Sequence, residues 1–189
     1  MGKKSDILQV AQRLFAQFGL KKVTTDDIAK MSSVSKATIY RYYKNKEEIF
    51  DEVVKIEGAQ LLDAVNEAVD KEETVIDKFR AYLLTKIGKI HELINFYRAT
   101  REMMNDYWPY IAEAREQFME REKEMVLGVL ELGNSTNELC VERADLAAHI
   151  IVVSLKSLEY PWAIEEHDIS LSDYVDLLLD ILINGIRKR

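Results

Sequence analysis

An all-α fold is what the sequence predicts, on three observations. Only 7 Gly and 2 Pro interrupt 189 residues, while Ala, Leu, Ile, Glu and Lys are plentiful. Apolar residues, 48% of the chain, recur at three- and four-residue steps. The segments with that period open on Ser, Thr or Asn, the residues that cap helix N-termini.

The first helix is KKSDILQVAQRLFAQF, with Ile7, Ala11, Leu14, Phe15 and Phe18 on one side and Gly19 as a left-handed cap. TTDDIAKM follows as a helix of about two turns, with Thr24 as N-cap and Asp27 in the capping-box position. Ser35 caps a third helix, SKATIYRYY, and Asn45 caps a fourth, with Glu48 closing an Asn-x-x-Glu box. Two short helices joined by a tight turn, after a longer supporting helix, make a helix-turn-helix. On the third helix, Val34, Ile39 and Tyr43 face inward and Lys36, Ala37, Tyr40, Arg41 and Lys44 face out. Such a face suits a major groove: a small residue lets the backbone approach, and long donors reach base edges and phosphates.

Charge supports the same division. Residues 1–50 hold 10 Lys and Arg against 5 Asp and Glu, a balance of +5, whereas residues 51–189 hold 16 against 28, a balance of −12. A basic module on an acidic body fits a polyanion at one end of the chain. Lys46 is discordant, because a cation at the first position of a helix opposes the macrodipole. Alone it reads as a solvated lysine; beside its neighbours it reads as a phosphate ligand at a helix N-terminus.

The run LFAQFG through VTTDDIAKMSSVSKATIYRYYKNKEEIF resembles the N-terminal DNA-binding domain of the TetR family of bacterial transcription regulators, over residues 7 to 53. The resemblance implies that Thr25, Tyr40, Tyr42 and Lys46 touch phosphates, while Lys36, Ala37, Thr38 and Arg41 approach base edges. Ser33 departs from the family's turn glycine, so the turn is expected to form with some backbone strain.

The expected division is a DNA-binding domain at 1–46 and a ligand-binding and dimerisation domain at 47–189, linked by the fourth helix alone. Ile76, Phe79, Leu83, Ile87, Ile90 and Ile94 form one apolar stripe; Ile111, Phe118, Met125, Val129 and Leu132 form another, with Arg115 and Glu122 close to it. The segment from Phe96 to Tyr110 is rich in aromatic residues and Met, a composition shared by adaptable pockets and ordinary cores. The family resemblance implies a cavity here, for which Phe79, Leu83, Phe96, Tyr97, Met104, Trp108, Phe118 and Glu122 are the candidates.

LAAHIIVVSLKSL and YVDLLLDILINGI, the latter after the capping run Ser170–Asp173, are apolar on nearly every face. A helix of that kind is buried on every side, which one small chain cannot arrange. Two copies pairing as a four-helix bundle can, and outward positions such as Ile151 and Leu179 are expected to carry the contact.

Enzyme signatures are missing from the sequence. His91, His149 and His167 have no metal-ligand spacing, no glycine-rich phosphate loop or nucleophile elbow occurs, and Cys140 stands alone. No cofactor or metal is implied. One cysteine, no apolar N-terminal leader and no run of ~18 apolar residues favour a cytoplasmic setting. The expected protein is a homodimeric repressor that binds a palindromic operator and is released by a mostly apolar small molecule. An activator, an effector-independent DNA binder and a helical small-molecule binder without DNA function are the alternatives.

Overall fold

A computed structural model describes residues 2–89, 92, 93, 95, 108–164 and 168–186, the side chains of 108–111, 156–164 and 185–186 excepted. The elements among them are helices: α1 (Lys3–Phe18), α2 (Thr25–Met31), α3 (Lys36–Tyr42), α4 (Lys46–Asp70), α5 (Val75–Gly88), α6 (Trp108–Thr136), α7 (Ala144–Ile164) and α8 (Leu171–Ile186). They divide into two compact units, residues 1–59 with 93–116 and residues 60–92 with 117–189. The chain therefore passes between the units three times, so α4 is not the sole link.

In the first unit, α1 buries Ile7, Ala11 and Phe15, spaced four apart, and Phe15 meets Phe50 of α4 edge-to-face at 5.2 Å. Phe18 lies on the same side of α1 as these residues, about 20° from Ile7, but as the last residue of the helix it is half exposed. Gly19 ends α1 at φ 76°, ψ 158°. That is the mirror-extended region rather than the left-handed cap expected, and it is open only to glycine.

The α2 capping box forms as expected. Thr24 Oγ1 accepts from Asp27 N at 3.2 Å, and Asp27 Oδ2 accepts from Thr24 N at 2.9 Å. Ser33 takes φ 54°, the left-handed backbone expected of a serine standing in for glycine. Its neighbours lock it there: Ser32 Oγ donates to Ile28 O at 2.6 Å and Val34 N to Ala29 O at 3.0 Å. Ile49, Phe50, Val53 and Val54 of α4 complete the apolar interior of this unit. The buried Glu57 carboxylate accepts from Gln12 Nε2 at 3.0 Å and from Asn95 Nδ2 at 2.7 Å.

The second unit centres on α5, which buries Val75, Phe79, Tyr82, Leu83, Lys86 and Ile87. Ile76, expected in the stripe, is exposed instead, while Ile90 and Ile94 lie outside the described residues. Leu132 of α6 is likewise exposed, whereas Phe118, Val126, Val129 and Leu130 are buried. Arg80 clamps α5 to α8: its Nε donates to Asp176 Oδ1 at 2.6 Å and its Nη2 to Ser172 Oγ at 2.6 Å. Ser170 caps α8 as expected, accepting from Asp173 N at 3.1 Å.

The last two helices each bury one face. Ala148, Val152 and Leu155 of α7 and Val175, Leu179 and Ile183 of α8 are in the core. Leu146, Ile150 and Val153 stand exposed on α7; Leu177 and Ile181 on α8 are 59% and 65% exposed. Leu179, expected to face outward, is a core residue, and Ile151 is half-buried. Among the described residues no helix is long and apolar enough to cross a membrane.

Candidate nucleic-acid interface and effector site

The interface begins with how α3 is held. Ser35 accepts from Thr38 N at 3.1 Å, satisfying one of the free N–H groups at the helix start. Ile39 is buried, and Tyr43 follows it into the interior one turn later. With those anchors fixed, Lys36, Ala37, Tyr40 and Arg41 are exposed, with Tyr42 beside them. Thr38 is half-buried, its hydroxyl 2.9 Å from that of Ser35.

The cations and hydroxyls of this face engage one another. Lys36 pairs with Asp26 of α2 at 2.8 Å, and that hydrogen bond, then the carboxylate's charge, raises the ammonium's pKa above its ordinary value. Both partners are more than half exposed, so the pair is weak enough to exchange for a phosphate or a base edge. Arg41 lies over the Tyr42 ring at 5.0 Å and donates to its hydroxyl at 3.0 Å. Thr25 Oγ1 stands 3.5 Å from the Tyr40 hydroxyl, so two expected phosphate contacts from α2 and α3 meet at one point.

Lys46 is placed differently. Its ammonium donates to the carbonyls of Leu20 at 2.8 Å, Val23 at 2.9 Å and Lys21 at 3.4 Å. The N-terminus of α4 keeps part of the expected box: Glu48 N donates to Asn45 Oδ1 at 2.8 Å, while the Glu48 carboxylate takes Lys44 N at 2.7 Å.

Of the effector candidates, Phe79, Leu83, Phe118 and Glu122 are buried in the second unit. Glu122 accepts from the Tyr82 hydroxyl at 2.6 Å and is in direct contact with the Lys86 ammonium. Lys86 also sits over the Tyr82 ring at 5.4 Å. Phe79 and Leu83 flank Tyr82 on α5, and Phe118 lies one turn before Glu122 on α6. A buried ion pair with a phenol among apolar side chains is thus the polar feature of this region. Sequence reasoning misses Lys86 and Tyr82, although their four-residue spacing and a lysine between Leu83 and Ile87 signal them. Phe96, Tyr97 and Met104 lie outside the described residues, as does the Trp108 side chain.

A cavity of about 370 Å³ lies in the first unit, lined by Leu14, Phe18, Val23 and Met31 with Lys22, Asp27 and Lys30. None of the effector candidates contributes to it.

Residues 7–53 match the family model for bacterial regulatory proteins of the tetR family. The uncharacterized HTH-type transcriptional regulator YhgD of Bacillus subtilis is 41% identical over 68 residues, 36% of each chain. The HTH-type transcriptional regulator QacR of Staphylococcus aureus is 24% identical over the full length of both chains. Among solved structures, the transcriptional regulator FadR from Bacillus subtilis, in complex with stearoyl-CoA, superposes with a TM-score of 0.76 at 21% identity, covering 97% of this chain and 99% of that one.

Proposed function

We propose that this chain, whose residues 7–53 match the family model for bacterial regulatory proteins of the tetR family, is a homodimeric, cytoplasmic repressor of that family, relieved by a largely apolar effector. The observation that carries the DNA side of this reading is α3: Ile39 is locked beneath it while Lys36, Ala37, Tyr40 and Arg41 are displayed above. Thr25, Tyr40 and Tyr42 then serve phosphates; Lys36, Ala37, Thr38 and Arg41 serve base edges. The working division remains a DNA head at 1–46 and a binding and dimerising body at 47–189.

Two-fold pairing is supported by the exposed apolar rows Leu146–Ile150–Val153 and Leu177–Ile181, whose spacing puts each row on one face of its helix. A dimer presents two α3 helices, so its operator is a palindrome with half-sites about one helical turn apart, ~34–36 Å. The effector class is supported by the apolar surroundings of the Tyr82–Glu122–Lys86 group. A regulator of similar fold holds stearoyl-CoA, which makes a long-chain acyl compound the first to try. The protein acts by binding, and turnover of a bound effector would count against the reading.

The test uses the DNA flanking the protein's own gene, searched for a palindrome and titrated with the protein by fluorescence anisotropy at several salt concentrations. Tight, salt-dependent binding that an acyl compound weakens is the expected result. By linkage, operator must weaken acyl binding by the same factor, typically about 5–150-fold. Equal acyl affinity with and without operator would sink the allosteric part even if both sites exist.

A further inference from the structure

Among the residues expected to touch phosphate, Lys46 has its charge directed into the protein. Its ammonium has three protons, and three carbonyls converge on it: Leu20, Lys21 and Val23. These carbonyls belong to the turn after α1, and that of Val23 is joined directly to Thr24, the N-cap of α2. Gathered without a cation, three carbonyl oxygens would repel one another. With it, their negative ends also offset the adverse position of a lysine at the first residue of α4.

We propose that Lys46 is a positioning residue for DNA binding rather than a phosphate ligand. Its ammonium pins the start of α4 to the turn that launches α2, and so sets where the phosphate-facing residues stand. The path is short. Val23 is held by the ammonium, Thr24 and Asp27 close the capping box, and Thr25 then meets the Tyr40 hydroxyl of α3 at 3.5 Å. A phosphate drawing on the same ammonium would have to displace at least one carbonyl and loosen the turn it was meant to read from. The inference rests on the DNA-binding reading of this unit.

The decisive measurement is operator binding against salt concentration for the wild type and Lys46→Met, which keeps the stem and removes the ammonium. Failure of the wild type to bind any duplex in a salt-dependent way would overturn the DNA-binding reading itself. Given wild-type binding, the folded variant is expected to bind about tenfold more weakly or worse, the usual scale for lost charge-assisted hydrogen bonds, with its salt slope unchanged. A slope reduced by about 0.9 would mark a lost phosphate contact and overturn the proposal. Unaltered affinity in a folded variant would reduce Lys46 to a brace for stability and overturn it equally. Should Lys46→Met not fold, the side-chain ammonium resonance of wild-type Lys46 decides. Hydrogen-bond couplings to the three carbonyl carbons, retained on operator addition, are expected; a coupling to DNA phosphorus in their place would refute the proposal.

Discussion

The helix-turn-helix and the C-terminal helices use their side chains in opposite ways. In α1–α3 the polar side chains at helix boundaries bond to nearby backbone: those of Thr24, Asp27, Ser32 and Ser35 all reach partners within four residues. In α7 and α8 apolar side chains outnumber the faces available to bury them, and Ile150, Leu177 and Ile181 are left outside. Local hydrogen bonding specifies the first region. The second depends on which face meets its neighbours, and that is decided at long range.

The largest effects should come from exploiting that second region. Leu179→Glu places a carboxylate in the core and is expected to cost more than about 4 kcal/mol, read as loss of the cooperative melt. Ile181→Glu, two residues on, should leave the helix signal intact and shift sedimentation from dimer to monomer. If the two variants behave alike, the division of α8 into a core face and a pairing face is wrong.

Glu122→Leu comes next, because it strands the Lys86 charge among apolar groups; about 3–5 kcal/mol is expected from denaturant midpoints. The double change with Lys86→Met should recover most of that loss, since neutralising both partners removes the desolvation cost together with the attraction.

For the DNA-facing region the expected effects are smaller and appear in binding. Arg41→Ala should cost roughly 1–3 kcal/mol on operator and relax preference at particular base pairs. Asp26→Asn frees Lys36 and removes a negative charge beside it, so binding to any duplex should tighten; weaker binding would argue that the pair orients Lys36 for use.

The backbone of the same region offers opposed tests. Ser33→Gly relieves a left-handed serine and should stabilise by up to about 1–2 kcal/mol. Gly19→Ala has open space for its methyl group, yet the mirror-extended backbone should make it lose about 1–3 kcal/mol.

The smallest effect is acid sensitivity. Hydrogen bonds from the Thr24 hydroxyl and then its N–H lower the Asp27 pKa below its ordinary value. A lowered folded pKa gives stability that is present above the unfolded value and lost as pH falls through the folded one. The melting difference between wild type and Asp27→Asn should therefore shrink below about pH 4.

These contrasts explain what is legible in the sequence alone. Thr24, Ser35 and Ser170 can be read as caps because a cap and its partner lie within four residues. The α3 faces can be read because Ile39 and Tyr43 share one period. Leu179 and Ile151 are misplaced by sequence reasoning because a helix apolar all round carries no phase information, and only packing against α5 and its neighbours chooses its buried side. Ile76 fails for another reason: it shares the face of Leu83 and Ile87 on α5 but lies in the first turn of the helix, where position along the axis rather than phase leaves it exposed. For Lys46 the sequence shows the charge conflict, but the carbonyls that resolve it lie more than twenty residues upstream.

The two-piece make-up of the first unit has a consequence for its synthesis. Glu57 is buried, and one of its amide donors, Asn95, leaves the ribosome 38 residues later. At ~5–20 residues per second that is a delay of a few seconds. During that interval the Glu57 carboxylate lacks the Asn95 amide, while the Gln12 amide and water are already within its reach. The end of the chain that carries α1–α3 is made first but completed late, because the Asn95 donor to Glu57 joins the first unit only once that residue has emerged.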